Sequence, residues 1–293
     1  MKKIILAFAV LLAMGSAVTK AQVQTRTVVR STISGSKKGE IVNIDNAKYR
    51  ITYEAKWVNN TAIKPFIYTD SEMRLDIGEK ATSFYDRTKQ IKDSLMDAKA
   101  KTGNFDFSDL PKGGRFPFTY YKNYPSVGKS TQLESVGITD YKCTENIETP
   151  DWQLIPDSAT TIIGYHCQLA KANFKGRTWF AWYAEDIPLQ EGPWKLMGLP
   201  GLILKAYDEN KEFAFTAIGM NTLTTATPIT ISKTKREEIS QKELREFKEK
   251  FTPRMVMEAL KVDIAEIRDE KGRPLDVKKE LNKKNIFNPI ELQ

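Results

Sequence analysis

Histidine occurs once in the 293 residues and cysteine only twice. A histidine cluster, a multi-cysteine metal centre or an iron–sulfur site each needs more ligands than that, so no metal site and no cofactor is expected. A Ser–His–Asp hydrolase would have to rest on His166 alone, and the Gly-x-Ser-x-Gly elbow that would support it is missing. Long apolar runs are scarce too. The one at residues 4–14 has eleven residues, whereas a membrane span needs about 20. It follows Lys2 and Lys3 and precedes Gly15, Ser16 and Ala17, which is the three-part layout of a secretory signal peptide. Cleavage after Ala17 or, preferably, Ala21 would leave Gln22 as the first mature residue and place the protein in the periplasm or outside the cell.

A one-signed charge stripe is also absent. Loss of Lys2, Lys3 and Lys20 takes the net charge from +8 to about +5, and the charged stretch at 233–284 mixes both signs. A nucleic-acid partner is therefore not expected, and any membrane association would be peripheral. In an oxidising compartment Cys143 and Cys167 are expected to pair with each other. The bridge would close a loop of 25 residues and stabilise the fold by roughly 3.5 kcal/mol. A metal site adding His166 is the competing reading, but strand alternation would point His166 and Cys167 to opposite faces.

Neither a Pro- or Ser-rich linker nor an internal repeat interrupts the chain, so one β-rich domain is expected over 22–293, after a signal peptide at 1–21. Alternating apolar positions predict strands at 23–33, 48–58, 73–77 and 82–86, and again at 133–144, 160–173, 177–184, 202–207 and 212–219. Ile91, Leu95 and Ala98 give helical spacing at 88–101, and Gly103 would end that helix. Residues 109–125 mix Pro, Gly and aromatics as an ordered excursion, a lid or a surface loop. Lys175-Gly176 suits a tight turn between two strands. Ser240 with Glu243 forms a capping box, and Thr252-Pro253 reads as a second helix start, so a helical segment is expected at about 235–262 before the turn and loop from Gly272. The fold class is then α+β, a predominantly antiparallel curved sheet with a few packed helices.

Four of the five tryptophans fall between residues 152 and 194. In the strand at 177–184, Trp179, Ala181 and Tyr183 would share one face and Phe180 and Trp182 the other, so both faces need cover. A central packed strand and a ligand-binding aromatic wall both fit. The Gly- and Pro-rich run that follows, to Leu204, restricts the backbone before a buried strand, and its glycine spacing is wrong for a phosphate-binding loop. It reads as a rigid buried turn that could also line a pocket, with Trp179, Trp182, Trp194, Leu199 and Pro200 as candidate ligand contacts.

Residues 198–203 spell Gly-Leu-Pro-Gly-Leu-Ile, and here the chain resembles the GLPGLI family. Gly164-Tyr165-His166-Cys167, Gly176-Arg177, Ala181-Trp182-Tyr183, Asp186-Ile187-Pro188, Gly192-Pro193 and the closing Asn288-Pro289-Ile290-Glu291-Leu292 are similar to that family's elements. The resemblance implies an exported protein of Bacteroidetes-type bacteria with no established catalytic residues, and His166 would occupy a variable position. Three readings remain open. The first is a non-enzymatic envelope protein, with a sheet like the half-barrel of lipoprotein carriers, that binds a lipid, an acylated peptide or a protein partner in an apolar groove. The second is a hydrolase using carboxylates among Asp186, Glu191 and Asp208. The third is an interaction module that docks on a membrane-associated partner through the helices at 240–261.

Overall fold

A computed structural model of the chain describes residues 39–102, 108–111, 113, 116–261, 264, 266–269 and 273–293. The expected signal peptide, the strand at 23–33 and the glycines at 103 and 272 lie outside the described residues. Twelve strands hydrogen-bond into one sheet. In chain order they are β1 (Ile41–Val58), β2 (Tyr68–Ile77), β3 (Thr82–Asp86), β4 (Phe118–Lys122), β5 (Lys129–Val136), β6 (Thr139–Asn146), β7 (Gln153–Ile162), β8 (Tyr165–Phe174), β9 (Arg177–Ala184), β10 (Leu202–Asp208), β11 (Phe213–Ser232) and β12 (Glu237–Glu238). Their order across the sheet is β12-β6-β5-β4-β3-β2-β1-β11-β10-β9-β8-β7. All pairs are antiparallel except β12 with β6. The expected α+β class holds in this form: a large open antiparallel sheet with few helices.

Nearly every neighbour in the sheet is a neighbour in sequence, with short turns closing most hairpins and longer connections, the excursion through residues 87–117 and the segment at 185–201, joining β3 to β4 and β9 to β10. Lys175 and Gly176 both take positive φ between β8 and β9, as a two-residue hairpin turn requires. Gly137 and Gly164, also at positive φ, split what reads as single strands at 133–144 and 160–173 into the hairpins β5–β6 and β7–β8. β11 runs on to Ser232, well past the expected end, pairing along almost the whole of β1. Its middle, residues 221–228, is Thr-rich and mostly exposed, and apolar alternation resumes only at Ile229 and Ile231, which are buried with Ala47 and Tyr121. The excursion at 109–125 supplies an inner strand instead of a lid: Phe116, Phe118 and Tyr120 are all buried, and β4 lies between β3 and β5.

One face of the sheet carries the main core, built on Ile51, Tyr53, Ala55 and Trp57 of β1, Met73 and Leu75 of β2, Phe84 of β3, and Trp179, Ala181 and Tyr183 of β9. Cys143 and Tyr120 both pair with Gln132 and so share that face with it. Helices α2 (Gln241–Lys250) and α3 (Pro253–Leu260) cover its far end, placing Leu244, Val256, Met257 and Leu260 against Tyr141 and Cys143. The Ser240 and Glu243 capping box starts α2 as expected. α1 (Arg87–Thr102) departs from expectation: Ile91 is 39% exposed, and Leu95 and Ala98 are not buried. Its start is tied by polar contacts instead, with buried Asp86 accepting from the Lys89 amide and Arg87 paired to Glu72. β7 forms one edge of the sheet, and its pairing breaks between Ile155 and Ala159, around Pro156 and a positive-φ Asp157.

The expected Cys143–Cys167 bridge is not formed, and both are buried free thiols. They sit on β6 and β8, with eight strands between them in the sheet, and pack in different clusters. An oxidising compartment would make pairing the default, but sheet order keeps the two apart. Burial raises both thiol pKa values, that of Cys143 to about 12. His166 is exposed while Cys167 is buried, the divergence that alternation requires. Native protein prepared without reductant should therefore titrate few or no thiols with an aromatic disulfide reagent, and two per chain once unfolded. Finding none in the unfolded, unreduced chain would contradict this arrangement.

Candidate functional site

The Gly/Pro segment at 185–201 lies over the main-core face of the sheet. Trp194 and Leu196 are 0% exposed and Leu199 is 1% exposed. Burying each such side chain stabilises the fold by roughly 2 kcal/mol. Trp194 packs 5.4 Å from Trp179, centroid to centroid, and 6.0 Å from Phe174. The backbone is anchored from several directions: the Trp152 indole N–H donates to Met197 O at 2.8 Å, the Tyr53 hydroxyl to Ile203 O at 2.7 Å, and Ile203 N to Glu191 O at 2.9 Å. Gly201 is obligatory for steric reasons, since a Cβ there would lie 2.0 Å from Ala184 O.

Two lysines join this segment to the rest of the molecule. Lys122 of β4, 1% exposed, donates to Glu191 at 2.6 Å and to Gly192 O at 3.3 Å. Lys195 pairs with Glu145 of β6 and, at 2.6 Å, with Glu291 near the C-terminus. Burial raises the Glu291 pKa despite that partner, and it pushes the nearby Tyr120 phenol far up.

Arg177 opens β9 and is the other junction. All five of its N–H groups are committed. Its Nε donates to Ile290 O at 3.0 Å, Nη1 to Asp208 at 2.9 Å and Glu212 at 2.8 Å, and Nη2 to Asn288 Oδ1 and Pro289 O, both at 2.7 Å. Burial still raises the Asp208 pKa, against the Phe213 amide and Arg177 that favour its charge. The Asn-Pro-Ile-Glu-Leu ending is thus held by Arg177 at one side and Lys195 at the other.

The candidate contacts divide between the two faces. Trp179, Trp194 and Leu199 come together in the interior, whereas Pro200 is exposed and Trp182 is half-buried on the opposite face. Phe180 and Tyr207 lie beside Trp182 on that outward face, their rings stacked at 5.5 Å and 15°. Lys211 Nζ sits 3.4 Å from the Tyr207 centroid, and Lys205 pairs across strands with Trp182. The alternation in β9 gives Phe180 and Trp182 their shared face from sequence; Tyr207 becomes visible only through the β9–β10 register. The candidate carboxylates serve different partners: Glu191 holds Lys122, Asp208 holds Arg177, and Asp186 is exposed. Sequence reasoning placed Arg177 only within a family-like Gly-Arg element and gave it, Lys122 and Lys195 no role; the further signal is a cation inside an aromatic-rich or Gly/Pro-rich run. A cleft of about 260 Å³ at the β8–β9 turn is lined mainly by polar residues, Asn173, Lys175, Arg177, Thr178 and Gln293 among them. Among the described residues, no group of three His, Cys, Asp or Glu is arranged to hold a metal ion.

Residues 131–205, which contain this segment and both cysteines, match a family described as "Protein of unknown function (Porph_ging)". No curated protein matches. Among solved structures, PNGF-II in C2 and P21 space groups is similar at 15% and 16% identity, with TM-scores of 0.43 and 0.41. Each match covers 68% of this chain and 32% of PNGF-II, so the chain spans about a third of that protein's length.

Two outcomes follow from the buried charges. Arg177→Met should lower unfolding stability in urea by about 3–5 kcal/mol, because it strands Asp208 without its cation, and Arg177→Lys should recover little of that loss. A loss below about 1 kcal/mol would mean that the C-terminal ending is held by other contacts. For Glu291, a folded pKa above the ordinary 4.5 means that the protonated form favours folding. That contribution is complete below about pH 4.5 and disappears as pH rises through the folded value. Melting curves should therefore show the unsubstituted protein losing stability relative to Glu291→Gln as pH rises above 4.5; a constant difference would remove burial as the cause.

Proposed function

We propose that this is an exported, non-enzymatic envelope protein, one β-rich domain after loss of residues 1–21, that acts by binding an apolar partner: a lipid, an acylated peptide or a protein. The leader-like start at Lys2, Lys3 and residues 4–14 supports export. The observation that carries the binding reading is the half-buried aromatic row of Phe180, Trp182 and Tyr207, Trp182 partly packed against the core, on a sheet whose other face is filled by the protein's own Trp194, Leu196 and Leu199. Aromatic groups left half-exposed on a rigid strand suit binding, since little conformational freedom is lost when a partner covers them. Trp179 and Trp194 then serve the site from behind by fixing β9. A half-barrel of the lipoprotein-carrier kind is the fold analogy that goes with this reading. The non-enzymatic part is supported by two of the candidate carboxylates being engaged by separate cations, Glu191 by Lys122 and Asp208 by Arg177.

The test is titration with a fluorescent fatty-acyl probe, alongside mass spectrometry of lipid that co-purifies. The unsubstituted protein should bind the probe. A Phe180→Ala, Trp182→Ala, Tyr207→Ala combination should weaken binding by at least about tenfold, since truncating an aromatic anchor commonly costs more than about 1.4 kcal/mol. Trp194→Ala should lower stability instead. A protein that purifies empty and ignores the probe would defeat this reading.

A further inference from the structure

We propose that the end of the sheet bearing the β1–β2 loop, residues 59–67, is a docking surface for an anionic lipid bilayer; this rests on, and narrows, the reading of the outward aromatic row as a binding surface. The loop and the residue that follows it carry apolar side chains into solvent: Ile63 is 44%, Ile67 67% and Tyr68 45% exposed. Phe66 stands beside them, its ring 6.2 Å from Tyr68 and 3.1 Å from Lys64 Nζ. Solvent-facing isoleucines clustered with aromatics at one tip contribute little to the core, and such clusters mark interaction sites.

The loop continues into the aromatic row. The Tyr68 hydroxyl donates to Lys211 O at 2.9 Å, Lys211 Nζ covers Tyr207, and Tyr207 stacks on Phe180 beside Trp182. Lys64, Lys171, Lys205 and Lys211 border this strip, and among the described residues none has a carboxylate within ion-pair distance. Lys56, on the same face, is by contrast paired with Glu54. Burial and then the repulsion of Lys205 lower the Lys211 pKa, so two of these cations crowd one another. Acidic residues at this end are Asp70, across from Lys56, and Glu209 and Glu212 in the β10–β11 turn, of which Glu212 is held by Arg177; Glu54 and Glu72, on the outward face beside Lys56, are held by Lys56 and Arg87.

Apolar tips, amphipathic rings and unpaired ammonium groups in one strip match the layered chemistry of a bilayer surface. Isoleucine and phenylalanine enter the acyl boundary, tyrosine and tryptophan sit at headgroup level, and lysines meet the phosphates. Long lysine stems let the ammonium groups reach outward while their methylenes lie along the apolar strip. A soluble anion would not use Ile63 and Ile67, and an uncharged apolar partner would not use the four lysines.

The experiment is sedimentation of the chain from Gln22 onward, which contains every described residue and omits the apolar run at 4–14, with lipid vesicles. Vesicles of equal parts phosphatidylglycerol and phosphatidylcholine should bind it, phosphatidylcholine alone should not, and binding should weaken as salt shortens the screening length. Ile67→Asp, and separately Lys64→Glu with Lys211→Glu, should each reduce binding by about tenfold or more. Leu154→Asp, at an exposed position on the β7 edge, should leave it unchanged. Failure to bind the anionic vesicles, equal binding to both kinds, or unchanged binding by the loop variants overturns the inference. If the vesicles fail while the acyl probe still binds and the aromatic substitutions abolish it, only the bilayer surface is lost. If the probe fails as well, the binding reading falls with it.

Discussion

The commitment of all five Arg177 donors to the C-terminal ending and the β10–β11 turn is the constraint on which the rest of the architecture leans. It places Ile290 in the main core and carries Glu291 to Lys195. Lys195 in turn belongs to the segment that fills the sheet, so three stretches far apart in sequence become one mechanical unit. A buried guanidinium with five satisfied donors tolerates almost no displacement. The co-occurrence of Gly176-Arg177, Gly192-Pro193-Trp194-Lys195 and Asn288-Pro289-Ile290-Glu291 in one chain thereby acquires a physical explanation.

Much of the fold was legible because buried strands alternate. β3, β9 and β10 coincide closely with the residues that period-two patterning selects, β1 and β2 begin several residues earlier than that patterning shows, and the capping box at Ser240 marks the start of α2. The errors have separate physical causes. β4 was hidden by the Pro, Gly and aromatic composition around it, although burial of Phe118 and Tyr120 makes it an inner strand. The middle of β11 is Thr-rich and mostly exposed, which hides its continuation to the buried Ile229 and Ile231. The cysteines illustrate a limit of counting: compartment chemistry says that two thiols may pair, but only strand order says whether they meet. The candidate site was half legible. Alternation separated Trp179 from Trp182, yet no local pattern reveals which face the chain itself will cover.

The two faces of β9 have therefore been put to different use. The inner row joins Trp179, Ala181 and Tyr183 to a densely aromatic core, while the outer row leaves Phe180 and Trp182 in partial contact with water. Rigidity on one side is what gives precision to the other, since a strand fixed by Trp194 and Phe215 cannot shift when its outer rings are loaded.

The interrupted pairing of β7 bears on how the molecule ends. An open sheet offers unpaired amides and carbonyls at both margins, and a straight, apolar margin would accept strands from other copies without limit. Here one margin is β12, two residues long, and the other is broken at Pro156, which has no amide to offer, beside the left-handed kink at Asp157. Among the described residues neither margin is a long, straight apolar strand, so the sheet is a poor template for adding strands from other copies.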